Sequence, residues 1–173
     1  MQGEMNFIVE GGRTLSGTVE TSRSKNGAVA LLAASLLNRG RTTLQRVPKI
    51  EEVNRLIEVL RSIGVKVHWR GTSVVIEPPK TFSLKAIDRA AAAKTRSILM
   101  FIGPLLHFFK KFELPQSGGC TLGLRSVRPH LMALEKFGVD IETRSDRYHI
   151  THAKLVPAEV ILYESSDTAT INA

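Results

Sequence analysis

The chain has one cysteine, Cys120, set in Ser117-Gly118-Gly119-Cys120-Thr121-Leu122-Gly123-Leu124-Arg125, with Arg128 just beyond. Two glycines let the backbone take positive φ and approach a ligand closely, and neighbouring guanidinium groups favour thiolate over thiol and attract anions. That combination suits a reactive thiol beside an anion site. The plain alternative is a free cysteine that fills a small apolar gap in a glycine turn.

The charge balance points the same way. Lys and Arg number 24 against 16 Asp and Glu, a formal charge of +8, which implies anionic partners. The basic residues are scattered, their longest run is Lys110-Lys111, and aromatic residues that would stack on bases make up only 6%. Nucleic acid is therefore disfavoured, and a phosphate-bearing small molecule, held by a few converging arginines, fits better. The five histidines, His68, His107, His130, His149 and His152, have neither companion cysteines nor a His-Glu-x-x-His spacing, so neither a metal nor a cofactor is expected.

A lone cysteine rules out an intrachain disulfide and suits a reducing cytoplasm. Met1 to Phe7 carries an acid and a glycine where a signal peptide needs a basic start and an apolar run. The longest apolar stretch, Ser97 to Phe109, is interrupted by Gly103, Pro104 and His107 and falls short of the ~20 residues that span a bilayer. It is expected to be a buried helix, with no membrane partner.

The elements that must position these residues come as a repeat. A shift of 74 residues places Leu60 on Leu134, Gly64 on Gly138, Val65 on Val139, Val67 on Ile141, Val74 on Tyr148 and Ile76 on Ile150. In each copy an amphipathic helix, about 51 to 63 and about 127 to 137, ends at a glycine and leads into two alternating strands. The strands are joined through Arg70-Gly71-Thr72 and Arg144-Ser145-Asp146. Upstream lie a helix and strand, 26 to 37 with 42 to 45, and 95 to 108 with 111 to 114. The reading is α/β (α+β): two units of helix, strand, helix, strand, strand. A third unit starts at Val160 to Ser166, which resembles Val19 to Ser24, read as the strand and turn before the first helix. Asp167 to Ala173 is expected to be too short for a helix, since isolated helices need ~12–15 residues. The chain thus looks truncated, or completed by a partner.

Ser24-Lys25-Asn26-Gly27-Ala28, Val47-Pro48-Lys49, Thr95-Arg96-Ser97 followed by Gly103-Pro104-Leu105, and above all Gly118-Gly119-Cys120-Thr121-Leu122-Gly123-Leu124-Arg125 resemble the UDP-N-acetylglucosamine enolpyruvyl transferases (1-carboxyvinyltransferases) of peptidoglycan synthesis. The resemblance runs from about Phe7 to Ala173 and covers only the N-terminal part of that family. The cysteine loop separates it from the sister family of the shikimate pathway, which shares the repeat but lacks the cysteine. What the resemblance implies is an inside-out α/β barrel of two domains, each of three units. Residues 1–22 would join the second domain, and 23–173 would form the first, with two full units and the start of a third.

The resemblance also assigns roles. Lys25 matches the lysine that contacts the phosphate of phosphoenolpyruvate, Asn26 the residue that contacts the amino sugar, and Arg96 the arginine that reaches the UDP diphosphate. Arg125 matches a second phosphate-binding arginine, and His130 a histidine near the nucleotide. Ser166 stands at the uridine-diphosphate site, and Cys120 matches the acid that protonates the methylene carbon of phosphoenolpyruvate. Against these stand plainer readings: a solvated lysine, an N-capping asparagine, a surface helix arginine and an ordinary helix histidine.

The implied reaction moves the enolpyruvyl group of phosphoenolpyruvate to the 3-hydroxyl of UDP-N-acetylglucosamine and releases phosphate. Two departures bear on the acceptor. Arg125-Ser126-Val127-Arg128 lacks the proline that follows the arginine in the family, and Ser166-Asp167-Thr168 replaces Ser-Val-Gly, bringing an acid toward a diphosphate site. A related transferase with another acceptor and a non-catalytic anion-binding module are the alternatives. The isolated chain is expected to lack turnover without the second domain's base and arginines, and to self-associate through the uncovered faces of Val160 and Leu162.

Overall fold

A computed structural model describes residues 8–116 and 126–173. Ser24 caps the first helix, α1 (Lys25–Ala34), its hydroxyl accepting from the Gly27 amide at 3.0 Å, and a 3-10 turn carries the chain on to Leu37. Strand β1 (Thr42–Leu44) precedes α2 (Glu51–Ser62). The apolar residues of α2 recur every three or four positions, and Val53, Leu56, Ile57, Val59 and Leu60 are buried. Gly64, at φ 99°, ends the helix in the left-handed region that a side chain would resist.

Two hairpins follow the alternation of the sequence. In the first, β2 (Lys66–Arg70) pairs antiparallel with β3 (Ser73–Glu77), and β1 joins the other edge of β3 with Thr43 opposite Val75. In the second, β5 (Val139–Arg144) pairs with β6 (Arg147–His152), whose far edge takes β4 (Lys111–Pro115). The sheet orders β1-β3-β2 and β4-β6-β5 are the same arrangement, so the 74-residue repeat is a repeat of structure. Each hairpin closes on two residues, and the first of them, Gly71 or Ser145, has positive φ as such tight turns require.

Between the sheets lies the apolar stretch. It is buried as expected, but it is not one helix. A 3-10 segment, Arg96–Phe101, gives way to α4 (Ile102–Leu106), after the short α3 (Arg89–Ala93). Pro104 explains the break, because its ring in a continuous α-helix would clash with the carbonyl of Met100. Ile98, Leu99, Phe101, Ile102 and Leu105 are fully buried here, against α1 and α2. The second amphipathic helix, α5 (Arg128–Lys136), sits where the repeat puts it.

Two further expectations fail. Val19 to Ser24 and Val160 to Ser166 are not strands. Val19, Ile161 and Tyr163 are exposed, and neither segment has a partner strand among the described residues. Asp167 to Asn172, expected to be too short for a helix, form α6. Ser166 caps it from outside and Ala169 and Asn172 are buried beneath it, so packing supplies what six residues lack in propensity. No helix among the described residues is long and apolar enough to cross a membrane.

Candidate functional site

Five helical segments begin at one cleft of about 830 Å³. Lys25 and Asn26 are the first two residues of α1, Glu52 is the second of α2, and Arg96 and Ser97 open the 3-10 segment. Ser126 precedes α5 and His130 lies in its first turn, while Ser166 caps α6 and Asp167 and Thr168 begin it. Backbone N–H groups at helix starts lack intrahelical partners and carry partial positive charge. The three longer helices, α1, α2 and α5, therefore all favour an anion at this place.

The side chains are held by one another. The Lys25 ammonium donates to Glu52 Oε2 at 2.6 Å. Glu52 Oε1 accepts from Thr95 Oγ1 at 3.1 Å and from the Ser97 hydroxyl in a shorter bond. Burial alone would raise the pKa of Glu52, but hydrogen bonds from Lys25 and Ser97, the charge of Lys25 and the Thr95 hydroxyl together hold it below its usual value. The carboxylate is charged, and both of its oxygens accept hydrogen bonds.

Arg96 donates from Nη2 to the Ser126 carbonyl at 2.5 Å, which joins the 3-10 segment to the entry of α5. Its Nε is buried and has no hydrogen-bond partner among the described residues. Next to it, His130 is 2% exposed. The Asn172 amide nitrogen donates to the Leu99 carbonyl at 3.2 Å and lies 3.3 Å from His130 Nδ1. With the amide donating, Nδ1 accepts, and the imidazole proton sits on Nε2, which faces Thr168 Oγ1 at 3.2 Å. Burial, then the charge of Arg96, push the His130 pKa down to about 4, so the ring is neutral at physiological pH.

Of the residues singled out in the sequence, Lys25, Asn26, Arg96, His130 and Ser166 line this cleft together although they come from four separate segments. Asn26 does not cap α1; Ser24 does. Ser166 does cap α6, its Oγ accepting from the Ala169 amide at 3.3 Å. Cys120 and Arg125 lie outside the described residues. Sequence reasoning missed Glu52 and Asn172. The available signals were the acidic first turn of α2, directly after Val47-Pro48-Lys49, and the two hydroxyl residues flanking Arg96. Two carboxylates besides Glu52, Glu164 and Asp167, also line the cleft. Among the described residues no group of His, Cys, Asp and Glu is placed to hold a metal ion.

Comparison with known proteins gives a consistent family. EPSP synthase (3-phosphoshikimate 1-carboxyvinyltransferase) matches the chain over residues 9–172. A UDP-N-acetylglucosamine 1-carboxyvinyltransferase from Bradyrhizobium diazoefficiens is 36% identical over 167 residues, 96% of this chain and 38% of the relative. A protein of the same name from Desulfatibacillum aliphaticivorans, 34% identical over 96% of this chain and 40% of the relative, and UDP-N-acetylglucosamine 1-carboxyvinyltransferase 2 from Bacillus subtilis, 30% identical over 95% and 38%, are also similar. The chain thus spans about two fifths of the length of these relatives. Among solved structures, the enolpyruvyl transferase NikO from Streptomyces tendae superposes with a TM-score of 0.68 at 22% identity, over 85% of this chain and 32% of NikO. An EPSP synthase from Acinetobacter baumannii superposes at 0.63 and 17% identity, over 86% of this chain and 35% of that one.

Proposed function

Because the chain belongs to the EPSP synthase family of enolpyruvyl transferases, we propose that it carries the phosphoenolpyruvate-binding part of a cytoplasmic enzyme that transfers an enolpyruvyl group to the 3-hydroxyl of UDP-N-acetylglucosamine. The observation that carries the reading is the convergence of Lys25, Asn26, Arg96, His130 and Ser166 on one cleft at the starts of several helices. The fully named relatives support the acceptor.

In the proposed reaction the sugar 3-hydroxyl oxygen bonds to C2 of phosphoenolpyruvate while a proton is added to its methylene carbon and the hydroxyl proton leaves to a base. Phosphate then departs from C2 as the new methyl group gives up a proton, which restores the double bond. Cys120 is the proposed acid for the first proton. Lys25 and Arg125 hold the phosphate, with α1 aiming its free N–H groups at the same anion. Arg96 offers a planar fork with an unsatisfied Nε to the diphosphate, Asn26 contacts the sugar, and neutral His130 and Ser166 stand at the nucleotide end. Fixed positive groups stabilise the departing phosphate through the whole sequence. On this reading the base and further arginines come from a second domain of the kind the family's two-domain architecture implies.

One observation favours a second reading within the same chemistry, a transferase with another acceptor: Asp167 and Glu164 bring two carboxylates into the cleft that a diphosphate would have to share. The test is phosphate release from phosphoenolpyruvate by the chain joined with a complementing second domain. UDP-N-acetylglucosamine is offered against the same sugar without its nucleotide and against other hydroxyl acceptors. Turnover with UDP-N-acetylglucosamine alone, lost in Cys120→Ala, supports the first reading; turnover with a nucleotide-free acceptor selects the second. No phosphate release with any acceptor, by a well-folded assembly that binds phosphoenolpyruvate, leaves an anion-binding module and removes both.

A further inference from the structure

We propose that Glu52 is a positioning residue: its carboxylate, held from behind by the Thr95 and Ser97 hydroxyls, fixes the Lys25 ammonium over the cleft. This rests on the reading of the cleft as an anion site.

Lys25 needs such a device. It is the first residue of α1, its side chain is 53% exposed, and a four-carbon stem leaves the ammonium many positions from which it would not meet a ligand. Glu52 is better placed to be fixed than to fix nothing. Its side chain is only 22% exposed, and each carboxylate oxygen is used on a different side: Oε2 by Lys25, Oε1 by Thr95 and Ser97. Thr95 is itself buried at 4% exposure, and its hydroxyl accepts from the Ser97 amide at 3.1 Å, so the support has no slack.

The support also has a second consequence. Thr95 and Ser97 stand on either side of Arg96, so one carboxylate registers the start of α1 against the start of the segment that carries the second cation. A bare carboxylate lining an anion site would repel the ligand. Here the ammonium stands on one of its oxygens and spends one N–H there, which leaves two for an anion. Glu52 acts through Lys25 and is not assigned a contact with substrate.

The test uses the full chain, with Glu52→Gln, Ser97→Ala and Lys25→Met, and the double variant Glu52→Gln/Lys25→Met. Lys25 acetylation by acetic anhydride, followed by mass spectrometry, reads the fixing of the amine without any ligand. It should quicken about three- to fivefold in Glu52→Gln and in Ser97→Ala, the worth of a partly exposed ion pair. Affinity for phosphoenolpyruvate and for inorganic phosphate, read by NMR titration, should fall about three- to tenfold in both, the cost of ordering one flexible side chain on binding. The fall in Glu52→Gln should vanish in the Lys25→Met background, which a general loss of structure would not do.

Unchanged acetylation in both variants overturns the proposal. So does tighter anion binding in Glu52→Gln, which would make Glu52 a competitor for Lys25. If acetylation responds while the parent chain binds neither phosphoenolpyruvate nor phosphate, the positioning of Lys25 stands and the anion-site reading falls.

Discussion

His130 gives the sharpest prediction about pH. Its imidazole is buried, neutral, and locked by Asn172 and Thr168, and its pKa in the fold is about 4 against 6.5 in an open chain. The folded state therefore resists a proton that the unfolded state accepts. The unfolded chain binds more protons between these two values, so the contribution of His130 is fully present above pH 6.5 and is lost as pH falls toward 4. Linkage gives about 2 kcal/mol lost between about pH 7.5 and about pH 5, and about 3 kcal/mol by about pH 4. For a domain of this size the first figure is a drop of about 4–8 °C in Tm.

The assay is a pair of melts, parent and His130→Gln, at a series of pH values and constant ionic strength. Carboxylates elsewhere also titrate in this range, so the informative quantity is the difference between the two chains. His130→Gln should be less stable than the parent at pH 7.5, where the parent's hydrogen bonds are intact, and the gap should close or reverse by about 2 kcal/mol at about pH 5. Parallel curves would refute the reasoning. They would mean either that the ring is already hydrated or that it keeps its proton in the fold, and the Asn172 amide would then have to be turned around.

Leu60→Ala, in the buried face of α2 at 0% exposure, should cost about 2–5 kcal/mol in chemical denaturation with an unchanged cleft, because Leu60 does not line it. Gly103→Ala should be worse than its size suggests: a Cβ there would lie 2.8 Å from the Asn172 carbonyl oxygen, so α6 must move, and the depressed pKa of His130 should move toward 6.5 in an NMR titration. Gly138→Ala, at φ 84° with the Lys154 carbonyl 3.0 Å from the new Cβ, should lower the thermal midpoint more than Gly71→Ala, where φ is 63° and the space is open. Cys120 should react with an electrophile faster than a cysteine in an unfolded peptide, and Arg125→Ala should slow it; equal rates in all three would make the loop a structural turn.

Much of the frame was legible because it depends on neighbours in sequence. The period of α2, the stop at Gly64, the alternation of β2 and β3 and the two-residue turns are local, and the repeat doubled each signal. The pieces that were misread depend on something distant. A strand needs an edge to pair with, which Val19 to Ser24 and Val160 to Ser166 lack among the described residues. The six residues of α6 hold because Asn172 reaches Leu99 and His130, contacts across 73 and 42 positions. In the candidate site the cations were visible by type, while Glu52 was not, since a first-turn glutamate on an amphipathic helix looks like ordinary charge on a solvated face until Thr95 and Ser97 are beside it.

The placing of acids in the cleft also has a logic that charge counts do not give. A chain of formal charge +8 could line an anion site with cations alone, yet Glu52 and Asp167 both stand in it. Each is in the first turn of its helix, where a carboxylate stabilises the helix by meeting the positive end of its dipole. The same position that makes a helix start attractive to a ligand therefore makes it attractive to the protein's own carboxylates, and the two uses compete. At α2 the competition is resolved, because Lys25 covers one oxygen of Glu52 and the Thr95 and Ser97 hydroxyls cover the other. At α6 Asp167 is exposed and has no ion pair among the described residues, so its charge remains turned on the cleft. The two carboxylates thus differ in kind: Glu52 is covered by its partners, whereas Asp167 leaves its charge open, and on the proposed reading an anionic ligand beside Asp167 would need a further cation.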